Sequence, residues 1–115
     1  MTYVDGFVAA VPTANKEAYR KHAADSVPVF KGYGALAMVE NWGVDVPDGE
    51  VTSLPMAVKR KEDETVVFSW VIWPDKETRD KAWEKLMSDP AMTNMEMPFD
   101  GKRMIFGGFE TILEA

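Results

Sequence analysis

The sequence predicts an α+β fold of the ferredoxin-like kind, β-α-β-β-α-β, with a four-stranded antiparallel sheet that closes a dimeric α/β barrel between two copies. Three observations predict it. Two segments share one grammar of strand, proline, cap and charged helix start: Val11-Pro12-Thr13-Ala14-Asn15-Lys16-Glu17 and Trp73-Pro74-Asp75-Lys76-Glu77. The strand segments carry apolar residues at odd and even positions alike, so both faces of the sheet need cover. The chain has 115 residues, 46% of them hydrophobic, and no cysteine, which suits one domain over residues 1–115 with a core that needs no disulfides.

The first strand is expected from Thr2 to Val11. Tyr3, Asp5, Phe7, Ala9 and Val11 share one face, and Val4, Gly6, Val8 and Ala10 the other. Pro12 ends it because proline cannot donate to a ladder. A helix follows from Asn15 to Lys31, with Thr13 or Asn15 as N-cap and Glu17 favoured by the helix dipole. Tyr19, Ala23, Ser26, Phe30 and Tyr33 form its buried stripe. Pro28 weakens it past the middle, and Gly32 and Gly34 flank the exit.

The second strand is expected from Ala35 to Val46, closed by the turn Pro47-Asp48-Gly49. The polar stretch Glu50 to Glu64 reads as an excursion with one short element, because Pro55 argues against a central strand. The third strand, Thr65 to Trp73, is the richest in β-formers. A second helix runs from Asp75 to Ser88, buries Arg79, Ala82, Trp83 and Leu86, and stops at Ser88-Asp89-Pro90. A methionine-rich loop leads to Pro98 and a turn at Asp100-Gly101. The last strand, Arg103 to Ile112, holds Gly107-Gly108 in its middle.

Right-handed crossovers put both helices on one face of the sheet. The other face stays apolar and bare, a patch that two copies resolve by facing each other. The expected partner is therefore a second copy of the chain.

Composition narrows the function. Without cysteine there is no thiolate metal site or thiol catalysis, and a single histidine, His22, argues against zinc. A net charge of −6 disfavours the phosphate backbone of nucleic acid. The triplet Lys59-Arg60-Lys61 is followed at once by Glu62-Asp63-Glu64 and reads as a self-compensating loop. No apolar run approaches the ~20 residues of a membrane span, and the start lacks a basic-then-apolar signal pattern, so the expected location is cytoplasmic. No metal and no cofactor are expected; nothing matches a phosphate loop, nucleophile elbow or metal motif.

Fainter signals concern a site. Asp5, Glu40 and Glu110 are carboxylates intruding into apolar strands, each expected to be paired or to titrate high, with Arg103 as a partner for one of them. Together they point to a cavity. His22 flanks the apolar stripe of the first helix, placed as a proton shuttle, a haem ligand or a boundary histidine. Phe68 and Trp70 share a face and, with Trp42, suit a pocket wall or an interface, since an indole N–H needs a partner. Met87, Met92, Met95, Met97 and Met104 cluster late, as a pliable lid or a packed loop.

Four stretches also resemble a known family. They are Tyr3-Val4-Asp5-Gly6-Phe7 with Val11-Pro12 and Lys16-Glu17-Ala18-Tyr19; the run from Glu40 to Gly49; the run from Lys61 to Trp70; and Met97-Pro98-Phe99-Asp100-Gly101 on to Phe109. Together they resemble the YbaA-like family of small bacterial proteins, a domain of unknown function, over essentially the whole chain. The resemblance implies a dimeric α+β barrel and carries no catalytic residue or cofactor.

The resulting expectation is a homodimer that binds a small, mostly apolar ligand in a cavity between sheet and helices, with Phe68, Trp70, Trp42 and Arg103 at the ligand. The alternative is a cofactor-poor enzyme of monooxygenase or isomerase type, with Asp5 or Glu40 as base and His22 as proton relay.

Overall fold

β1 (Tyr3–Pro12) and β3 (Glu64–Trp73) form the centre of the sheet, flanked by β2 (Ala37–Trp42) and β4 (Ile105–Glu110) in the order β2-β3-β1-β4. The computed structural model describes residues 2–115. Every neighbouring pair is antiparallel, so the chain is an α+β protein with an open four-stranded sheet. The helices are α1 (Lys16–Gly32), α2 (Leu54–Ala57), α3 (Lys76–Leu86) and α4 (Pro90–Thr93).

The register sorts the side chains. Tyr3, Asp5, Phe7 and Ala9 of β1 pair with Trp73, Val71, Ser69 and Val67 of β3. In β2, Met38, Glu40 and Trp42 join the same face. α1 and α3 cover it, and its main cluster holds Phe30, Ala35, Val71, Trp73, Ala82 and Leu86. Trp73 is fully buried; Phe30 packs against it at 6.2 Å and meets Trp83 edge-on at 5.6 Å. Fully burying one such side chain contributes about 1.5–3 kcal/mol. Val11, Tyr19 and Val67 form a second cluster at the start of α1.

The opposite face is covered only at one end, where Val58, just past α2, packs on Ala10 and Val66. The rest presents apolar side chains to solvent: Phe68 is 47% exposed and Phe109 61%.

Local chemistry explains the boundaries. Asp75 caps α3 as expected, accepting from the Thr78 N–H at 2.7 Å. α1 begins at Lys16, but the Asn15 side chain does not cap it; its amide instead donates to the Pro98 carbonyl at 2.9 Å, tying the late loop to the start of the helix. α1 runs through Pro28. Pro28 and Ala24, whose carbonyl loses its donor there, both lie on the exposed side, where water serves the carbonyl. Gly34 closes the helix at a φ of 112°, and a Cβ there would stand 2.7 Å from Thr78 Cγ2.

β2 ends at Trp42 and not at Val46. The Gly43 N–H still bonds to the Val66 carbonyl, but the backbones approach so closely that a Cβ at Gly43 would stand 2.5 Å from that oxygen. Beyond it the chain leaves the ladder, with Val44 exposed. The excursion contains one short element, α2, capped by Ser53, with Pro55 buried in its first turn. β4 begins at Ile105 and ends at Glu110, shorter than expected. Arg103 lies in a single 3-10 turn, Gly101–Arg103, held by its ion pairs.

Candidate functional site

Between α1, the sheet and the methionine-rich loop lies a cavity of about 260 Å³. Phe7, Ala9 and Val71 of the sheet form its floor, Ala23 and Phe30 of α1 one wall, and Trp83 of α3 another. Met92, Met97 and Phe99 roof it from the late loop. Its polar groups are Tyr19, His22 and Ser26 of α1, with Glu40 and Ser69 of the sheet.

Glu40 and Ser69 face each other across the β2–β3 register, which sets carboxyl and hydroxyl side by side. α1 brings Tyr19 over them, and its hydroxyl donates to Glu40 Oε1 at 2.5 Å. Tyr19 is buried and packs edge-on to Phe99 at 5.5 Å. Burial, the Glu40 charge and this hydrogen bond all push the Tyr19 hydroxyl far above its usual pKa, so it stays a donor. Glu40 is exposed and stands at the rim, lining both the cavity and the outer groove beside it. Desolvation on the cavity side raises the Glu40 pKa, and the hydrogen bonds from Tyr19 and Ser69 offset part of the rise. His22, half-buried on the same cavity, has its pKa lowered by burial against an opposing pull from Asp25. Two of the expected residues, Glu40 and His22, therefore line one cavity, with a short phenol–carboxylate hydrogen bond at its edge.

Asp5 lies elsewhere. It is buried on the helix-covered face, and its carboxylate accepts from Trp73 Nε1 at 2.9 Å, Trp83 Nε1 at 2.8 Å and Arg79 Nε at 3.0 Å. Arg79 Nη2 adds a fourth contact at 2.9 Å. The Arg79 guanidinium also lies over the Tyr3 ring at 5.3 Å, and Asp5 first of all holds its pKa above the usual range. The basic partner of Asp5 is thus Arg79 and not Arg103. Donors occupy the carboxylate on every side, so it is unavailable as a base. This pair borders a second, open cleft of about 350 Å³, with the largely exposed Met87 and Phe106 as its apolar sides.

Arg103 binds Glu64 in a bidentate fork at 2.7 and 2.6 Å and Asp100 at 3.0 Å. It ties the turn before β4 to the excursion through Glu64 and the Lys59 carbonyl, and lines neither cavity. The Arg103 hydrogen bonds hold the buried Glu64 carboxyl below its usual range. Phe68 and Trp70 stack edge-on at 5.4 Å on the open sheet face, remote from the cavity. Trp42 is on the covered face beside Val67, with Lys16 over its ring at 5.5 Å. The four residues expected at a ligand therefore do not converge. Glu110 ends β4 opposite Tyr3 and is exposed.

Tyr19 and Trp83 are site residues that the sequence reading placed only in core stripes, and Ser69 is one that it did not single out. Their helical and alternating positions marked them as inward-facing, and only the crossing of α1 over β2 and β3 reveals that Tyr19 meets Glu40. Among the described residues no group of three or more histidines or acids stands together to hold a metal ion, and no helix is long and apolar enough to cross a membrane.

Fold and cavity define an α+β protein whose two long helices lie on one face of a four-stranded antiparallel sheet and, with the methionine-rich loop, border a partly open apolar cavity. A family model described as a protein of unknown function, DUF1428, matches residues 2–101, and the chain belongs to that family. The uncharacterized protein YbaA of Escherichia coli K12 is 60% identical over 116 aligned positions, covering 99% of both chains. The Shigella flexneri protein of the same description has the same identity and coverage. The family match takes in all of the cavity's residues except Met104 and stops before β4.

Proposed function

We propose that the protein is a cytoplasmic homodimer of ferredoxin-like subunits that binds a small, mostly apolar ligand in the chamber between α1 and the sheet. The observation that carries the binding reading is the chamber itself. Its walls are almost wholly apolar, it has one polar edge at Tyr19, Glu40 and Ser69, and methionines that repack easily form its roof. Titration calorimetry with 2-naphthol tests it. Saturable binding is expected, with loss on filling the chamber by Ala23→Phe while the thermal midpoint holds. No binding to the wild type, or equal binding to the variant, overturns the reading.

The strand order β2-β3-β1-β4 supports the ferredoxin-like topology, because β3 lies between β1 and β2 and β1 lies between β3 and β4, so each β-α-β crossover skips one strand as the split motif requires. The bare sheet face supports the dimer. Phe68, Trp70, Ile105 and Phe109 line up on it, and two such faces would dry each other. Sedimentation equilibrium is expected to give a dimer that Phe68→Glu dissociates; a wild-type monomer at micromolar concentration overturns it. The absence of a spanning helix among the described residues is compatible with the cytoplasmic placement, which cell fractionation tests.

A catalytic reading has its own observation: Glu40, Tyr19 and His22 share the chamber. In that reading Glu40 is the base, Tyr19 the hydrogen-bond donor to a developing charge and His22 the proton relay, in a cofactor-poor oxygenation or isomerisation. Dioxygen uptake with a quinol substrate that falls in Glu40→Gln would favour it over binding alone.

A further inference from the structure

We propose that the ligand is an elongated amphiphilic amine, with its protonated amino head on Glu40 and its apolar tail crossing Met104 into the open cleft beneath α3. The proposal rests on the chamber reading above and specifies its ligand.

The head follows from what surrounds Glu40. Its Oε1 accepts from Tyr19, and Ser69 stands beside it, but both donors are neutral. The two cations nearest in the outer groove are engaged elsewhere: Lys16 lies over the Trp42 ring, and Arg20 pairs with Glu17 at 3.1 Å. A carboxylate at the rim of an apolar cavity with no ion-pair partner is best matched by a cation that also donates hydrogen bonds. The Tyr19 and Phe99 rings beside it add faces that favour an ammonium group. A carboxylate ligand would meet repulsion from Glu40 and from a chain of net charge −6.

The tail follows from the walls. Phe7, Trp83 and Met104 line both the chamber and the cleft, so one layer of side chains separates them. Met104 has three rotatable side-chain bonds and is the easiest of the three to displace. Beyond it, Met87 and Phe106 offer apolar contact. The cleft ends at Asp5 and Arg79, whose charges satisfy each other and leave no second polar anchor.

Calorimetric titrations with n-butylamine, n-octylamine, n-octanol and octanoate test this, on the wild type and on Glu40→Gln, Met104→Trp and Met104→Leu. Octylamine is expected to bind about tenfold more tightly than octanol, the scale of one charge-assisted hydrogen bond over a neutral one. Octanoate should bind weakest, and Glu40→Gln should erase the amine's advantage. Octylamine should exceed butylamine by at least about tenfold, since each buried methylene contributes on the order of 0.8 kcal/mol. Met104→Trp should abolish that gain and Met104→Leu keep it. An amine no tighter than octanol, or an advantage that survives Glu40→Gln, overturns the head assignment. A chain-length gain that is absent, or that survives Met104→Trp, overturns the tail route. In each of those cases octanol binding leaves the chamber reading standing, whereas failure of every probe overturns both.

Discussion

Asp5 and Glu40 are two carboxylates in apolar strands, on the same covered face of one sheet, and they meet opposite fates. Asp5 is enclosed by two indole N–H groups and a guanidinium, all from outside its own strand. Glu40 receives a phenol and a serine hydroxyl and no cation. The first arrangement removes a carboxylate from chemistry and makes it a bolt between β1, β3 and α3. The second leaves a charge at a cavity edge with capacity to spare. A carboxylate on the covered face therefore becomes structural or functional according to how many donors the neighbouring elements deliver, and not according to the strand that carries it.

The largest expected effect breaks the bolt. Asp5→Asn removes the buried partner of Arg79, leaving it only the more exposed Asp80, and sets a neutral amide against two indole N–H donors; it should cost about 3–5 kcal/mol in denaturant unfolding. A loss below about 1 kcal/mol would place Asp5 with Glu40 as a weakly held group. Next in size is Tyr19→Phe, which removes the one phenol donor to Glu40. A cost of about 0.5–1.5 kcal/mol is expected by the same measurement, and the cavity-edge carboxylate should then titrate higher still by NMR.

Two smaller effects concern pH and have opposite signs. Glu64 has its folded pKa lowered, chiefly by Arg103. Its contribution to stability is present above the ordinary carboxylate pKa of 4.5 and is lost as pH falls through the folded value. Arg103→Met should therefore lower the midpoint at pH 7 and converge with the wild type in strong acid. Glu40 has its folded pKa raised, so its contribution is present below 4.5 and is lost as pH rises through the folded value. Glu40→Gln should leave stability unchanged in acid and raise it slightly at pH 7. A fall at pH 7 would mean that the carboxylate is as well served as Asp5.

Much of the architecture was legible along the chain. The repeated proline–cap grammar located both long helices, and Asp75 caps α3 as its position required. Alternation in β1 and β3 sorted the residues into two faces, but did not tell which face the helices cover: Phe68 and Trp70, expected at a ligand between sheet and helices, lie on the open face, and Trp73 lies under the helices. Errors fell where a contact from far away overrode a local signal. Asn15 looks like a cap and instead reaches Pro98, 83 residues on. Arg103 looks like the start of a strand, but its fork onto Glu64 holds it in a turn. The site was half legible: Glu40 and His22 stood out as polar intrusions, while Tyr19 read as core until α1 was laid across β2.

Periodicity and capping act over a few residues, so the sequence by itself determined which segments are helices and strands, which side chains share a face of a strand, and that one sheet face is left apolar. Partnership acts across the fold. Only the tertiary structure decided that Arg79 belongs to Asp5 and Arg103 to Glu64, and that a phenol but no cation reaches Glu40. Charge pairing depends on distances of a few ångströms between elements far apart in the chain, and no local pattern encodes those distances.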